Sequence, residues 1–435
     1  MKKWFTFLFI TIGVFVLVGC GAKDPKTGEI VEFDKTQVKD TILTVWMDDS
    51  DGVLMDEIIP VFEAANPGII VEFQHMATVD AREKLKTFGQ SGYGADIFQF
   101  PHDHMAQAIL DDLVYILPDA LMDSLEDRVL EVAMDIATSC YDSATGSFEC
   151  VAGSKKKLFA VPISVESVTI FYNKDLISES QLPKTFEELL ATAASQTTYQ
   201  RYFGTSSHWA DAYFMQGIHS AFGWTPFGEN LNDATEVGYN DARLMSSLEW
   251  IINQLKPVVT GNGNHDSVTA TSLFEEGKLP FILTGPWQIN TFRDAGINYG
   301  AITLPTINGN QPQTFAGAQM LAVYKYSPNK EAAIKFVEFL ASDVAAEILY
   351  RTSGDCPALK EEIIDTIPGL KDDEAMQVML DQLETSVPMP TIPEVTYYWG
   401  PSETMIKNLW NSQGIIADEV KTAEKSYKAS RDLAS

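Results

Sequence analysis

Cysteine is scarce in this chain, with four in 435 residues and no CxxC pair among them. That spacing argues against a zinc ribbon or a thioredoxin-like redox motif. Cations are scarce too. The 31 Lys and Arg face 60 Asp and Glu, a formal net charge of −29 at pH 7. A surface this acidic repels phosphate backbones, so nucleic acid is a poor partner. A neutral or cationic ligand fits the charge better than an anionic one, although much of the acidity serves simply to keep the surface solvated. No HExxH, GxSxG or Walker-type loop occurs, which removes several common enzyme classes. Beyond residue 20 there is no apolar run long enough to span a membrane, which takes roughly 20 residues.

What is present begins at the N-terminus. Lys2 and Lys3 precede a nearly unbroken apolar run at 4–16, followed by Leu17-Val18-Gly19-Cys20. This order reads as a signal peptide over 1–19, and Leu-Val-Gly-Cys resembles a bacterial lipobox, whose cysteine is lipidated. An uncleaved signal anchor is the rival reading. Residues 20–40 are polar and aperiodic and read as a lipid-anchored flexible tether. Loss of Lys2 and Lys3 moves the net charge from −29 to −31. The remainder, in a chain 45% hydrophobic, can bury a sizeable core and suggests two or three domain-sized units. Cys140 and Cys150 flank a turn-forming Asp-Ser-Ala-Thr-Gly stretch, where a disulfide fits an oxidising compartment. Cys356 is then a buried thiol, though spacing alone leaves other pairings open.

The body repeats one pattern. A strand ends, and polar or aromatic side chains follow at its carboxyl end, where ligands gather in open α/β sheets. The strand at 41–47 is followed by Asp48-Asp49-Ser50-Asp51, which fits either hydroxyl acceptors or a solvated turn with a helix cap. The strand at 96–100 delivers Phe100, then His102-Asp103-His104. A metal there needs one more ligand, for which only His75 is near in sequence, so a polar ligand site accounts better for the segment. The apolar run at 157–172 is broken at Glu166, a carboxylate that must be paired, hydrogen-bonded or turned to a ligand. Asp211 and Tyr213 share a face if their segment is extended, and diverge if it is helical. Gly285-Pro286 stops a strand at 280–284 and presents Trp287, a platform for a ligand or a core residue under a loop. Trp399 closes the Tyr397-Tyr398-Trp399 run. Aromatic faces suit the C–H faces of pyranose rings, and carboxylates suit hydroxyl pairs. Four aromatics and three acids without a nucleophile motif point to binding, not chemistry.

From about Thr41 to the C-terminus the chain resembles the extracytoplasmic solute-binding proteins of sugar ABC transporters, in particular the maltose/maltodextrin-binding family. The segments that carry the resemblance are ADIFQFPHDH, FAVPISVESVTIFYNKDL with PKTFEEL, DAYF, LTGPWQI with NYGAITLP, SPNKEAAIKFVEFL and MPTIPEVTYYW, in family order. The tether and the Cys140–Cys150 loop lie outside the match. The resemblance implies an α/β, two-lobed periplasmic-binding-protein-like fold. Each lobe would be a mainly parallel sheet flanked by helices, with the ligand cleft between them. Residues 41–165 with 319–372 would form one lobe and 168–314 with 376–435 the other, with crossings near 164–168, 314–319 and 372–376. It implies a monomeric, non-enzymatic protein without metal or cofactor. That protein would be lipid-anchored through Cys20 on the extracytoplasmic face of the cell membrane. It would capture an α-linked gluco-oligosaccharide such as maltose or maltodextrin and deliver it to permease subunits. Ligand contacts carried over by position are Ser50, Asp51, Phe100, Asp103, Glu166, Asp211, Tyr213, Trp287 and Trp399. Three departures stand out: Ser50-Asp51 replaces an Asp-Lys pair, and His104 and Glu403 replace arginines. The rivals are a secreted glycoside hydrolase, whose two carboxylates, with Glu166 and Asp211 the nominees, would have to lie about 5–9.5 Å apart, and a lipoprotein that binds a metal or a peptide.

Overall fold

The computed structural model describes residues 40–148, 150, 153–259 and 267–434. The signal segment, Cys20 and residues 20–39 of the tether lie outside the described residues. Strands β1 (Thr41–Met47) and β2 (Ile69–His75) run parallel, with Thr41 opposite Ile69 and Met47 opposite His75. The helix between them, Val53–Ala65, buries Leu54, Met55, Ile58 and Phe62 along one stripe, the pattern of a helix laid on a sheet. Gly68 follows it at φ 91°, a left-handed turn that costs glycine nothing and other residues strain.

β3 (Ile97–Pro101) adds to β1 in parallel. A small hairpin of β4 (Thr138–Ser139) and β5 (Lys157–Leu158) follows. Then come β6 (Val161–Glu166), β7 (Thr169–Asn173), β8 (Phe203–Thr205), β9 (Phe281–Thr284) and β10 (Tyr299–Ile302). β11 (Phe315–Val323), β12 (Cys356–Pro357) and β13 (Val387–Pro388) complete the set. One sheet has the order β12-β6-β11-β3-β1-β2, with β13 beside β11, and the other has the order β10-β7-β9-β8.

The two-lobed α/β architecture is the expected one, but the strand polarity is not. β11 is antiparallel to both β3 and β6, and β12 is antiparallel to β6. In the second sheet only β8 and β9 are parallel. Both sheets are mixed because β6 runs straight on into β7, and β11 enters the first sheet from the second. Neither strand is the product of a βαβ unit, so the parallel crossover rule does not bind them. Val387 also pairs with Phe315, which returns β13 to the first sheet from within the span expected in the second lobe.

Alternation along β7 splits its side chains between two cores. Ile170 and Tyr172 join the cluster formed with Phe186, Phe214 and Leu409. Phe171 faces the opposite way, toward Phe274 and Phe292. Three hydroxyls tie the segments that pass between the sheets. Ser167 Oγ lies 2.7 Å from Thr314 Oγ1 and donates to the Phe315 carbonyl at 2.9 Å. Ser386 Oγ is 2.6 Å from Thr314 Oγ1. Cys140 and Cys150 form a disulfide, with Cα atoms 5.2 Å apart, and Cys356 is a buried free thiol. Among the described residues no helix is long and apolar enough to cross a membrane.

Candidate functional site

The second sheet supplies rings. β9 ends at Thr284, and Pro286–Gln288 forms a single 3-10 turn carrying the half-buried Trp287. The indole folds back over Gly285. A Cβ there would lie 2.2 Å from Trp287 Cζ3, so the glycine sets the position of the ring. Tyr213 sits in the first turn of the helix Ala212–Ala221. Its ring centroid is 6.5 Å from Trp287 and 6.2 Å from Phe315, the latter nearly stacked at 28°. Phe315 in turn meets Trp399 edge-on at 6.1 Å. Trp287, Tyr213, Phe315 and Trp399 therefore form one row. The Tyr213 hydroxyl is enclosed with no hydrogen-bond partner among the described residues. Burial, then Glu166, Asp211 and Asp103, hold its pKa well above the usual value.

The first sheet supplies carboxylates. Glu166 ends β6 opposite Gly317, where a Cβ would lie 2.9 Å from Glu166 Cγ. Gln319 Nε2 donates to Glu166 Oε1 at 3.3 Å. Gln99 Nε2 donates to Gln319 Oε1 at 3.2 Å, and the Asp48 amide donates to Gln99 Oε1 at 2.8 Å. A polar ladder thus runs from the end of β1 to Glu166. Burial raises Glu166 to about 7. Asp355 and Asp103 add to the rise, and the Gln319 bond opposes it. Asp103 is 7% exposed and accepts from Trp399 Nε1 at 3.0 Å. Burial raises it to about 6 against the opposing Trp399 bond and the Arg82 charge. This bond joins the acidic face to the ring row. Asp355, just before β12, is also raised to about 6 by burial, with Asp48 adding to the rise and a hydrogen bond to Ser353 opposing it.

Five proposed residues meet here: Glu166, Asp103, Tyr213, Trp287 and Trp399. Four others are placed differently. Phe100 is fully buried, with its ring 5.2 Å from Phe98. Alternation turns Gln99, not Phe100, toward the polar ladder. Asp211 caps its helix. Its Oδ1 accepts from the amides of Tyr213 at 2.9 Å and Phe214 at 3.3 Å, and its Oδ2 accepts from Ser207 Oγ. The segment is helical, so Asp211 and Tyr213 diverge. Ser50 and Asp51 lie exposed on the turn after β1, where Asp49 Oδ2 accepts from the Met55 amide at 2.9 Å. His102 is buried and its Nδ1 accepts from the Ala318 amide at 3.1 Å. Among the described residues no three His, Cys, Asp or Glu side chains cluster as metal ligands.

Sequence reasoning missed Phe315, Gln99, Gln319 and Asp355. A separate groove of about 1180 Å³ opens beside the disulfide, lined by Met105, Phe148, Tyr397 and Arg431 among others. None of the nine proposed ligand contacts lines it.

The profile of the bacterial extracellular solute-binding proteins matches residues 57–378, well over half of the chain. The chain belongs to this family. A galactooligosaccharide-binding protein of Bacillus subtilis is 27% identical to this solute-binding protein over 415 residues, 94% of this chain and 92% of its own. A maltooligosaccharide ABC transporter solute-binding lipoprotein of Streptococcus pneumoniae is 26% identical over 407 residues, 91% of this chain and 89% of its own. Among solved structures, a cyclo/maltodextrin-binding protein complexed with maltotetraose superposes with a TM-score of 0.72. It is 26% identical, and the match covers 91% of this chain and 98% of that one. The two-lobed fold is thus that of a solute-binding protein.

Proposed function

We propose that this solute-binding protein captures an α-linked gluco-oligosaccharide between its lobes and delivers it to the permease of an ABC importer. The observation that carries the reading is the ring row from Trp287 to Trp399 facing Glu166 and Asp103. Rings offer flat apolar area to the C–H faces of a sugar. Carboxylates accept from its hydroxyls, and the enclosed Tyr213 hydroxyl finds a partner in it. Contacts made on both faces at once favour the closed form, so binding shifts the population toward closure. The Ser167–Thr314–Ser386 hydroxyls lie where the chain passes between the sheets and serve as the hinge. Before capture, Cys20 is lipidated and residues 20–40 tether the protein to the outer face of the membrane.

The test is thermal melting of residues 21–435 against maltose, maltotriose, trehalose, sucrose, cellobiose, glucose and β-galacto-oligosaccharides. A ligand at 100 times its dissociation constant stabilises by about 2.7 kcal/mol, so a clear shift with maltotriose is expected. A shift with β-galacto-oligosaccharides alone would replace the α-linked class, and none with any sugar would overturn the sugar reading. For the anchor, Cys20→Ser should release the protein from the membrane fraction, and retention would refute lipidation.

A further inference from the structure

Asp355 stands in the cleft where no motif pointed. β12 begins one residue later and pairs antiparallel with β6, Cys356 opposite Val165. The register therefore carries Asp355 to the position opposite Glu166. Its other side is fixed by the second lobe. A Cβ on Gly354 would lie 3.0 Å from Asn290 Oδ1 and 3.3 Å from Ile289. Asn290 also donates to the Thr352 carbonyl. Asn290 and Ile289 directly follow the Trp287 turn. Asp355 thus stands opposite Glu166 on a turn that packs against the residues following Trp287. The amide of Asp355 is tied to Ser353 Oγ at 3.3 Å, which stiffens the turn.

The groups that act on these two carboxylates are Asp48 at the end of β1, Ser353 on the same turn, Gln319 on β11 and Asp103 at the end of β3. No Lys, Arg or His is among them. Two further polar atoms, the Tyr213 hydroxyl and Gln288 Oε1, are enclosed without a partner among the described residues. Facing acids with no cation repel each other, and unpaired enclosed atoms are costly. A ligand rich in hydroxyls relieves both.

We propose that Asp355 contacts the ligand, forming with Glu166 a two-carboxylate clamp for adjacent hydroxyls of the sugar unit that lies on Trp287. This rests on the oligosaccharide reading above. Two acceptors on neighbouring strands match a vicinal diol, as a carboxylate pair matches any two aligned donors. A sugar lacking one of those hydroxyls would leave a buried acceptor unpaired, which is where polar sites discriminate most.

The test is isothermal titration of residues 21–435 with maltotriose and with a set of singly deoxygenated maltoses, for wild type, Asp355→Asn and Asp355→Ala. Asp355→Ala should weaken maltotriose binding by about tenfold and Asp355→Asn by less, since truncation at a buried contact costs in this range. The ligand-free melting temperature should hold or rise in both, because an enclosed charge facing Glu166 is gone. One or two deoxy sugars should bind wild type poorly yet bind Asp355→Ala no worse than maltose does. Should Asp355→Ala fail to fold, the isosteric Asp355→Asn carries the decision. Wild-type affinity in folded Asp355→Asn and Asp355→Ala, or deoxy penalties identical in wild type and variant, would overturn the clamp alone. A wild type that binds no maltotriose would overturn the α-linked reading together with the clamp for that sugar.

Discussion

The two walls of the cleft are built on opposite principles. On the ring wall Trp287, Tyr213 and Phe214 pack against one another, and Phe315, at the head of β11, links Tyr213 to Trp399. Their apolar faces are largely covered by one another, and the enclosed Tyr213 hydroxyl is the polar group there left for a ligand. On the first-sheet wall Glu166, Asp103 and Asp355 are all held above their usual pKa by burial. Those acids have too few donors and gain when donors arrive. One wall offers area and the other offers acceptors, so the fitting ligand has C–H faces and hydroxyls in alternation. Neither wall alone makes that distinction.

The contrast breaks most visibly at Phe100, which a positional match puts among the sugar contacts and the structure puts in the core. Phe100→Ala should cost about 3–5 kcal/mol of stability, the range for emptying a buried aromatic site. Sugar should raise the melting temperature of the variant as much as that of wild type. A selective loss of the sugar-induced shift would return Phe100 to the site. Next in size is the ring wall itself. Trp287→Ala and Trp399→Ala should each weaken maltotriose binding by at least tenfold, about 1.4 kcal/mol. Trp399→Ala should be the worse, since it also removes the donor to Asp103. Unchanged affinity in folded variants, measured by titration calorimetry, would take both rings out of the site.

The acid wall is probed by pH. An acid whose pKa is raised on folding keeps its proton where the unfolded chain has lost it. Its contribution is therefore most favourable below the unfolded value and declines as pH rises toward the folded one. For Glu166 that window runs from 4.5 to about 7, and for Asp103 from 3.8 to about 6. His102, His104 and His219, held below their usual value by desolvation, act in the opposite sense over this range. The reading is therefore a difference: between pH 5 and pH 7.5 the ligand-free wild type should lose stability relative to Glu166→Gln. Parallel curves for wild type and variant would mean that Glu166 is not desolvated as placed.

How much of this was legible in the chain follows from how local each signal is. Trp287 was legible because Gly285-Pro286 ends a strand within two residues of it. Glu166 was legible because an acid breaks an apolar run. Phe100 misled because inward and outward positions on a strand differ by one residue, and Gln99 took the polar face. Asp211 misled because capping and ligand binding both call for an acid at a helix start, and only the helix beginning at Ala212 decides. Phe315 was hidden at the head of the long buried strand β11, where a phenylalanine reads as core. Asp355 was out of reach because its partner Glu166 lies far away in sequence and meets it through the β6–β12 register. Strand polarity was out of reach for the same reason, since pairing is a property of two distant segments.

The smallest effect belongs to the turn after β1. Ser50 and Asp51 stand where the resembling family carries an acid and a lysine, so a positional argument makes them contacts. In the structure both are exposed, while their neighbours do the structural work. The Asp49 carboxylate accepts from the Met55 amide at the start of the helix, and the Asp48 amide joins the ladder to Glu166. An exposed side chain whose atoms stay solvated gains little by meeting a ligand, because water already satisfies it. Ser50→Ala and Asp51→Ala should therefore leave maltotriose affinity within about twofold, the range of ordinary surface changes. Asp51→Lys, which puts a cation at this position, sharpens the test. If the turn closes onto the sugar, Asp51→Lys would change affinity while Asp51→Ala would not. If both leave it unchanged, the acid wall ends at Asp48, and recognition rests on Glu166, Asp103 and Asp355.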